Sequence, residues 1–171
     1  GAGATAAAAK PLLLDVSAGA GDSAEVTMAL LDGLESEFKM VRGAALAALA
    51  NAPDALKDLI HSGEGEIKTS AAARLFLAKC DVDEPTRAAA AEVWRAVGLG
   101  DNQLTLANHV SPLAILPFLR HDAASARDAA VDAFAETTSA MQGGVAPALA
   151  KLFAAYSAAS PKDGSKSAPS D

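Results

Sequence analysis

An arginine recurs along this chain at a nearly constant interval, each time in the same local setting, and a repeat of that length leaves few architectures open. The segments VRGAALAAL from Val41, TRAAAAEVW from Thr86 and ARDAAVDAF from Ala126 align on Arg42, Arg87 and Arg127, which stand 45 and 40 residues apart. Two and three residues after each arginine comes an alanine pair (Ala44-Ala45, Ala89-Ala90, Ala129-Ala130), and seven residues after comes a large apolar side chain: Leu49, Trp94 or Phe134. Offsets of three and seven lie on one face of an α-helix. Acidic turns precede the arginines, with Glu37 before the first, Asp81, Asp83 and Glu84 before the second, and Asp122 before the third.

Each unit therefore reads as an A helix, a short acidic turn and a B helix, and a two-helix unit of about 40–47 residues is the HEAT repeat. The first pair is predicted over about 22–35 and 38–50, the second over 66–79 and 85–97, and the third over 111–120 and 124–140. A short helix at 53–61 precedes the second pair, and a last helix at 144–157 would open a fourth. Asp22 and Glu25 have the spacing of a capping box. Pro85 suits a first helical turn, Gly98 suits a helix end, and Pro117 should kink the helix that contains it. The expected fold is an all-α HEAT-repeat solenoid of about three to four antiparallel helix pairs over 22–159. Low-complexity text flanks it: 1–21 should not pack, and 160–171 should be a disordered tail.

Composition supports that class. Of 171 residues, 44 are alanine, the best helix former, and nowhere do apolar residues alternate as a half-buried strand requires. A formal net charge of −7 opposes general attraction to phosphate backbones, so the expected partners are proteins, with no strong nucleic-acid binding by this segment. One cysteine, Cys80, cannot build an internal disulfide framework, which points to a reducing, cytoplasmic setting. The run Leu12–Leu14 is far too short to span a membrane. The absence of an initiating Met suggests a piece of a longer protein.

No catalytic, cofactor or metal constellation is expected, and no small-molecule substrate. His61, His109 and His121 are widely separated in sequence and belong to no paired His-Glu or Cys-x-x-Cys motif. Neither Gly19-Ala20-Gly21 nor Gly63-Glu64-Gly65 is followed by the Lys-Ser/Thr of a phosphate loop. The serines read as caps, and Cys80 beside Lys79 is either a small packing residue or a somewhat activated thiol. The repeated polar feature is Arg42, Arg87 and Arg127. These could grip a phosphate or an acidic partner, or they could form an inter-repeat ladder with Asp81, Asp83 and Asp122. The ladder is the favoured reading. Leu49, Trp94 and Phe134 then become the core anchors.

The stretch ARLFLAKCDVDEPTRAAAAEVWRAVGL, followed by LAILPFLRHDAASARDAAVDAFAET, resembles one HEAT family, the large translational activator of the initiation-factor-2-alpha kinase. In that family a helix ending in Lys-x-Asp leads to an acidic turn, an Arg, a Leu-Trp or Val-Trp and a Gly-Leu; here these are Lys79, Asp81, Arg87, Val93-Trp94 and Gly98-Leu99. His121, Ala123 or Ala124, and Arg127 match the next turn, and the likeness covers about 38–157, more weakly before 66. The resemblance implies a scaffold for sensing stalled or collided ribosomes, coupled to the kinase through the full-length protein. No kinase-binding segment and no elongation-factor-3-like region is recognisable here. The alternative is an unrelated HEAT interaction module of the transport or phosphatase-adaptor type.

Overall fold

The computed structural model describes residues 20–63 and 65–141, and beyond them residues 146, 149–150, 152–154 and 157. Every regular element among the described residues is helical. The order is α1 (Ala20–Gly33), α2 (Lys39–Asn51), α3 (Pro53–His61), α4 (Gly65–Lys79), α5 (Glu84–Ala96), α6 (Gln103–His109), α7 (Pro112–Ile115) continuing as a 3₁₀ segment (Leu116–Arg120), and α8 (Ala124–Ala140). The chain is an all-α HEAT-type solenoid: α1 pairs with α2, α4 with α5, and α7 with its 3₁₀ extension pairs with α8. Residues 146, 149–150, 152–154 and 157 are helical, and the rest of the helix expected at 144–157 lies outside the described residues. So do 160–171 entirely and 1–21 up to its last two residues, which open α1.

Local chemistry accounts for most of the boundaries. Pro53, Pro85 and Pro112 occupy first turns, where the missing N–H is not needed. Asp83, Asn102 and Ser111 cap α5, α6 and α7 by accepting from Thr86 N, Thr105 N and Leu113 N. Gly98, at φ +84°, ends α5 in a Schellman turn: Leu99 N donates to Trp94 O at 3.1 Å and Gly98 N to Arg95 O at 3.0 Å. Pro117 has the expected effect in a sharper form. Instead of bending an α-helix it stands in a 3₁₀ segment, so the third A helix is one α turn followed by a tighter one. Two details depart from expectation. Asp22 lies inside α1 and so does not cap it from outside, and α6, for which no element was predicted, fills the connection after Gly98.

The core centres on α4. Ala71, Ala72, Ala73, Leu75, Phe76, Leu77 and Ala78 are all buried, and a helix apolar on every side must be covered on every side. It packs against α1, α3, α5, α7 and α8. α2 lies against α5 to continue the B layer, whereas α8 packs on α4, α6, α7 and the 3₁₀ segment. Trp94 is 1% exposed; its ring centroid is 5.6 Å from that of Phe76, and its Nε1 donates to Gly100 O at 3.1 Å. Lys79 Nζ sits 4.8 Å from the Trp94 centroid and 2.7 Å from Asp101 Oδ1, closing the α5–α6 loop over the indole. Leu49 is buried and Phe134 partly buried against the same cluster.

Candidate functional site: the inter-helix turns and the groove beside them

Each of the three arginines lies near the start of its B helix, facing back over the turn that precedes it. A turn exposes carbonyls that no helix satisfies, and one guanidinium nitrogen can take two of them. The same geometry recurs. Arg42 Nη1 donates to Ser36 O at 2.9 Å and Glu37 O at 3.0 Å, Arg87 Nη1 to Asp81 O at 2.7 Å and Val82 O at 3.0 Å, and Arg127 Nη1 to His121 O and Asp122 O at 2.7 Å each. The acceptors are always six and five residues back.

Among the described residues, only the first arginine also reaches the next unit. Arg42 Nη2 donates to Asp81 Oδ1 at 2.9 Å, and its Nε lies 2.6 Å from Oδ2, a buried ion pair with both side chains 4% exposed. Asp81 Oδ1 also accepts from Asp83 N at 2.8 Å, so the carboxylate organises its own turn while holding the neighbouring unit. The position equivalent to Asp81 in the third unit is His121, which is why Arg87 finds no carboxylate there. Asp83 Oδ2 accepts from Thr86 N and Oγ1, and the Thr86 hydroxyl bond is the main reason that its pKa is lowered. Lys39 Nζ lies 3.8 Å from Asp83 Oδ1 across the same junction. Asp122 contributes its backbone carbonyl to Arg127.

A second feature lies where α4, α7 and the 3₁₀ segment diverge. The third A helix is too short to cover the first half of α4, and the space left is a groove of about 790 Å³. Its floor is a polar network: Arg74 bonds Glu35 through Nε, Asp32 Oδ1 at 3.1 Å through Nη2, and Ser70 Oγ at 3.0 Å through Nη1. His121 Nδ1 accepts from Ala123 N at 3.1 Å, so Nε2 carries the ring proton and donates to Glu35 Oε2 at 3.2 Å. Glu35, Arg74 and His121 therefore join all three units; sequence reading finds only His121 among them, as a turn residue, and misses Glu35 and Arg74. The arginine at 74 stands outside the repeat register, and nothing local signals that it meets a carboxylate 39 residues earlier.

Burial pushes the Cys80 thiol up to about 12, with Glu136 and Asp132 adding to the effect and Lys79 opposing it, which removes the activated-thiol reading. His61 Nε2 donates to Val97 O at 2.9 Å, and its ring meets that of His109 edge-on at 5.4 Å. No group of three metal-ligating side chains occurs among the described residues. No described helix is long and apolar enough to cross a membrane.

Stacked helix pairs with a conserved-geometry arginine at each B-helix start define a HEAT-repeat array. The family model described as stalled ribosome sensor GCN1, HEAT repeats, matches residues 61–166, and the chain belongs to that family. No curated protein and no solved structure matches it.

Proposed function

We propose that this chain is a scaffold segment of a ribosome-associated activator of the initiation-factor-2-alpha kinase, acting in cytoplasmic translational control during amino-acid starvation or ribosome stalling. The observation that carries this reading is the match of 61–166 to the HEAT repeats of a stalled-ribosome sensor. The segment acts without catalysis: its repeated polar residues satisfy one another, as in the Arg42–Asp81 pair, and so hold a surface in shape. In this reading Arg42 with Asp81, and Lys39 beside Asp83, tie the first two units together, Arg87 and Arg127 hold their own turns, the latter on the Asp122 carbonyl, and Leu49, Trp94 and Phe134 anchor the core beneath. Ribosome contact runs through protein, or through local basic positions such as Lys57 and Lys68, because the chain's −7 charge disfavours broad capture of RNA.

The test adds the purified chain to collided ribosomes and the kinase, scoring co-sedimentation at two salt concentrations and phosphorylation of the initiation factor. The expected result is association with ribosomes and no rise in phosphorylation, since a few repeats present only part of an extended binding surface. Phosphorylation stimulated by the chain alone would refute the scaffold role. Failure to associate at either salt concentration would refute the ribosomal one.

A further inference from the structure

We propose that the groove between α4 and the 3₁₀ segment docks a short protein segment carrying a Lys or Arg among apolar residues. The volume, about 790 Å³, falls in the range of roughly 300–1,000 Å³ typical of ligand sites, so it can hold several side chains. Its two walls differ in chemistry. Leu113, Ala114, Pro117 and Phe118 make an apolar wall, with Leu113 44% exposed although it is a large aliphatic residue. Opposite, α4 presents Glu66 and Thr69 from its first turns, above Glu35 and Arg74.

The polar groups on the floor are already engaged. Arg74 is held by Glu35, Asp32 and Ser70, Thr69 Oγ1 donates to Gly65 O, and Ser111 Oγ accepts from Leu113 N. Among the described residues of the groove only the Ser70 and Ser111 hydroxyl protons are left to donate, so recognition comes mainly from shape, apolar contact and net charge. The charge is negative: Glu35 and Glu66 both line the groove against the single guanidinium of Arg74, which is already paired with Glu35 and, outside the groove lining, with Asp32. Glu66 has no ion-pair partner among the described residues, and the whole chain carries −7. An apolar wall facing an acidic one fits a segment whose aliphatic residues pack on Phe118 and Leu113 while a cation reaches Glu66. A nucleic acid would meet the wrong charge. The inference rests on the groove alone, independently of the ribosomal reading.

The test uses a fluorescently labelled twelve-residue peptide of alternating Leu and Lys, with a Lys/Ala peptide of equal charge and a Leu/Glu peptide as comparisons. Titration is followed by anisotropy on the whole chain. The account predicts saturable binding of the Leu/Lys peptide at least tenfold tighter than either comparison. Leu113→Asp and Glu66→Lys should each weaken it tenfold or more, while Val131→Asp, on the exposed side of α8, should leave it unchanged. Circular dichroism melts verify that each variant is folded, and Glu66→Gln serves as a milder change with an intermediate loss. Equal binding by the Lys/Ala peptide, or by Leu113→Asp, would reduce the effect to general charge attraction and overturn the proposal. Absence of saturable binding would overturn it too, as would displacement by single-stranded RNA or a concentration-dependent dimer abolished by Leu113→Asp.

Discussion

The junction between the first two units and the turn of the third use the same arginine in different surroundings. Arg42 is 3% exposed, spans two carbonyls of its own turn and closes on a buried aspartate of the next unit. Arg127 spans the equivalent carbonyls, but it is exposed and meets no carboxylate among the described residues. The shared part is a local device that shapes a turn. The part that differs is the inter-unit bond, and it requires an acid six residues before the next arginine. Asp81 supplies that acid at the first junction, while His121 stands at the equivalent place in the third unit and turns to Glu35 of the first. Cohesion thus passes from a buried ion pair at one junction to a half-exposed network around a groove at the other.

The largest expected contrast is in the core anchors. Trp94→Ala should cost about 3–5 kcal/mol, because a fully enclosed aromatic leaves a cavity, whereas Phe134→Ala, at the same repeat position but partly buried, should cost about 1–2 kcal/mol. Urea titration of both variants checks this, and equal losses would show that the third unit is as tightly packed as the second. Next come the turn arginines. Arg87→Ala should lose about 1–3 kcal/mol by stranding two turn carbonyls. Exposed Arg127→Ala should lose about 1 kcal/mol or less, being better solvated. Reversal of that order would break the proposed gradient from the inside outward.

The smallest effect concerns pH. Burial lowers the His109 pKa below its ordinary 6.5, with His61 and Lys68 adding to the shift. A base whose folded pKa is depressed folds better when neutral. Its contribution is therefore complete above about 6.5 and is lost as pH falls through the lower folded value. The urea midpoint should drop between pH 7 and 5 more in the parent than in His109→Asn. An imidazole of residue 109 titrating above 6.5 by NMR would contradict the sign.

How far the sequence could be read follows the same division. The arginine register located both helices of each unit, because spacing within a helix is local and periodic. Helix α6 escaped because it is seven residues long; its signal was the cap at Asn102, with Leu106 and Val110 four apart. Pro117 foretold a disturbed helix, but the groove depends on how far that shortened helix stands from α4, a tertiary distance. Likewise His61 and His109 share no sequence pattern and meet only because α3 and α6 end near each other. Asp81 was readable as a ladder residue, whereas Glu35 was not, since its partner Arg74 lies outside any repeated position and its partner His121 replaces the acid that the register would lead one to expect there.

A double-mutant cycle on Arg42→Leu and Asp81→Leu, read in both urea stability and co-sedimentation with collided ribosomes, tests whether this edge is structural. Each single change should cost about 3–5 kcal/mol by leaving one charge buried and unpaired, and the double change should recover much of that loss. Ribosome association should follow the folded fraction and nothing else. Unchanged stability in the single variants, together with loss of ribosome association, would contradict the account and make the arginine edge a binding surface.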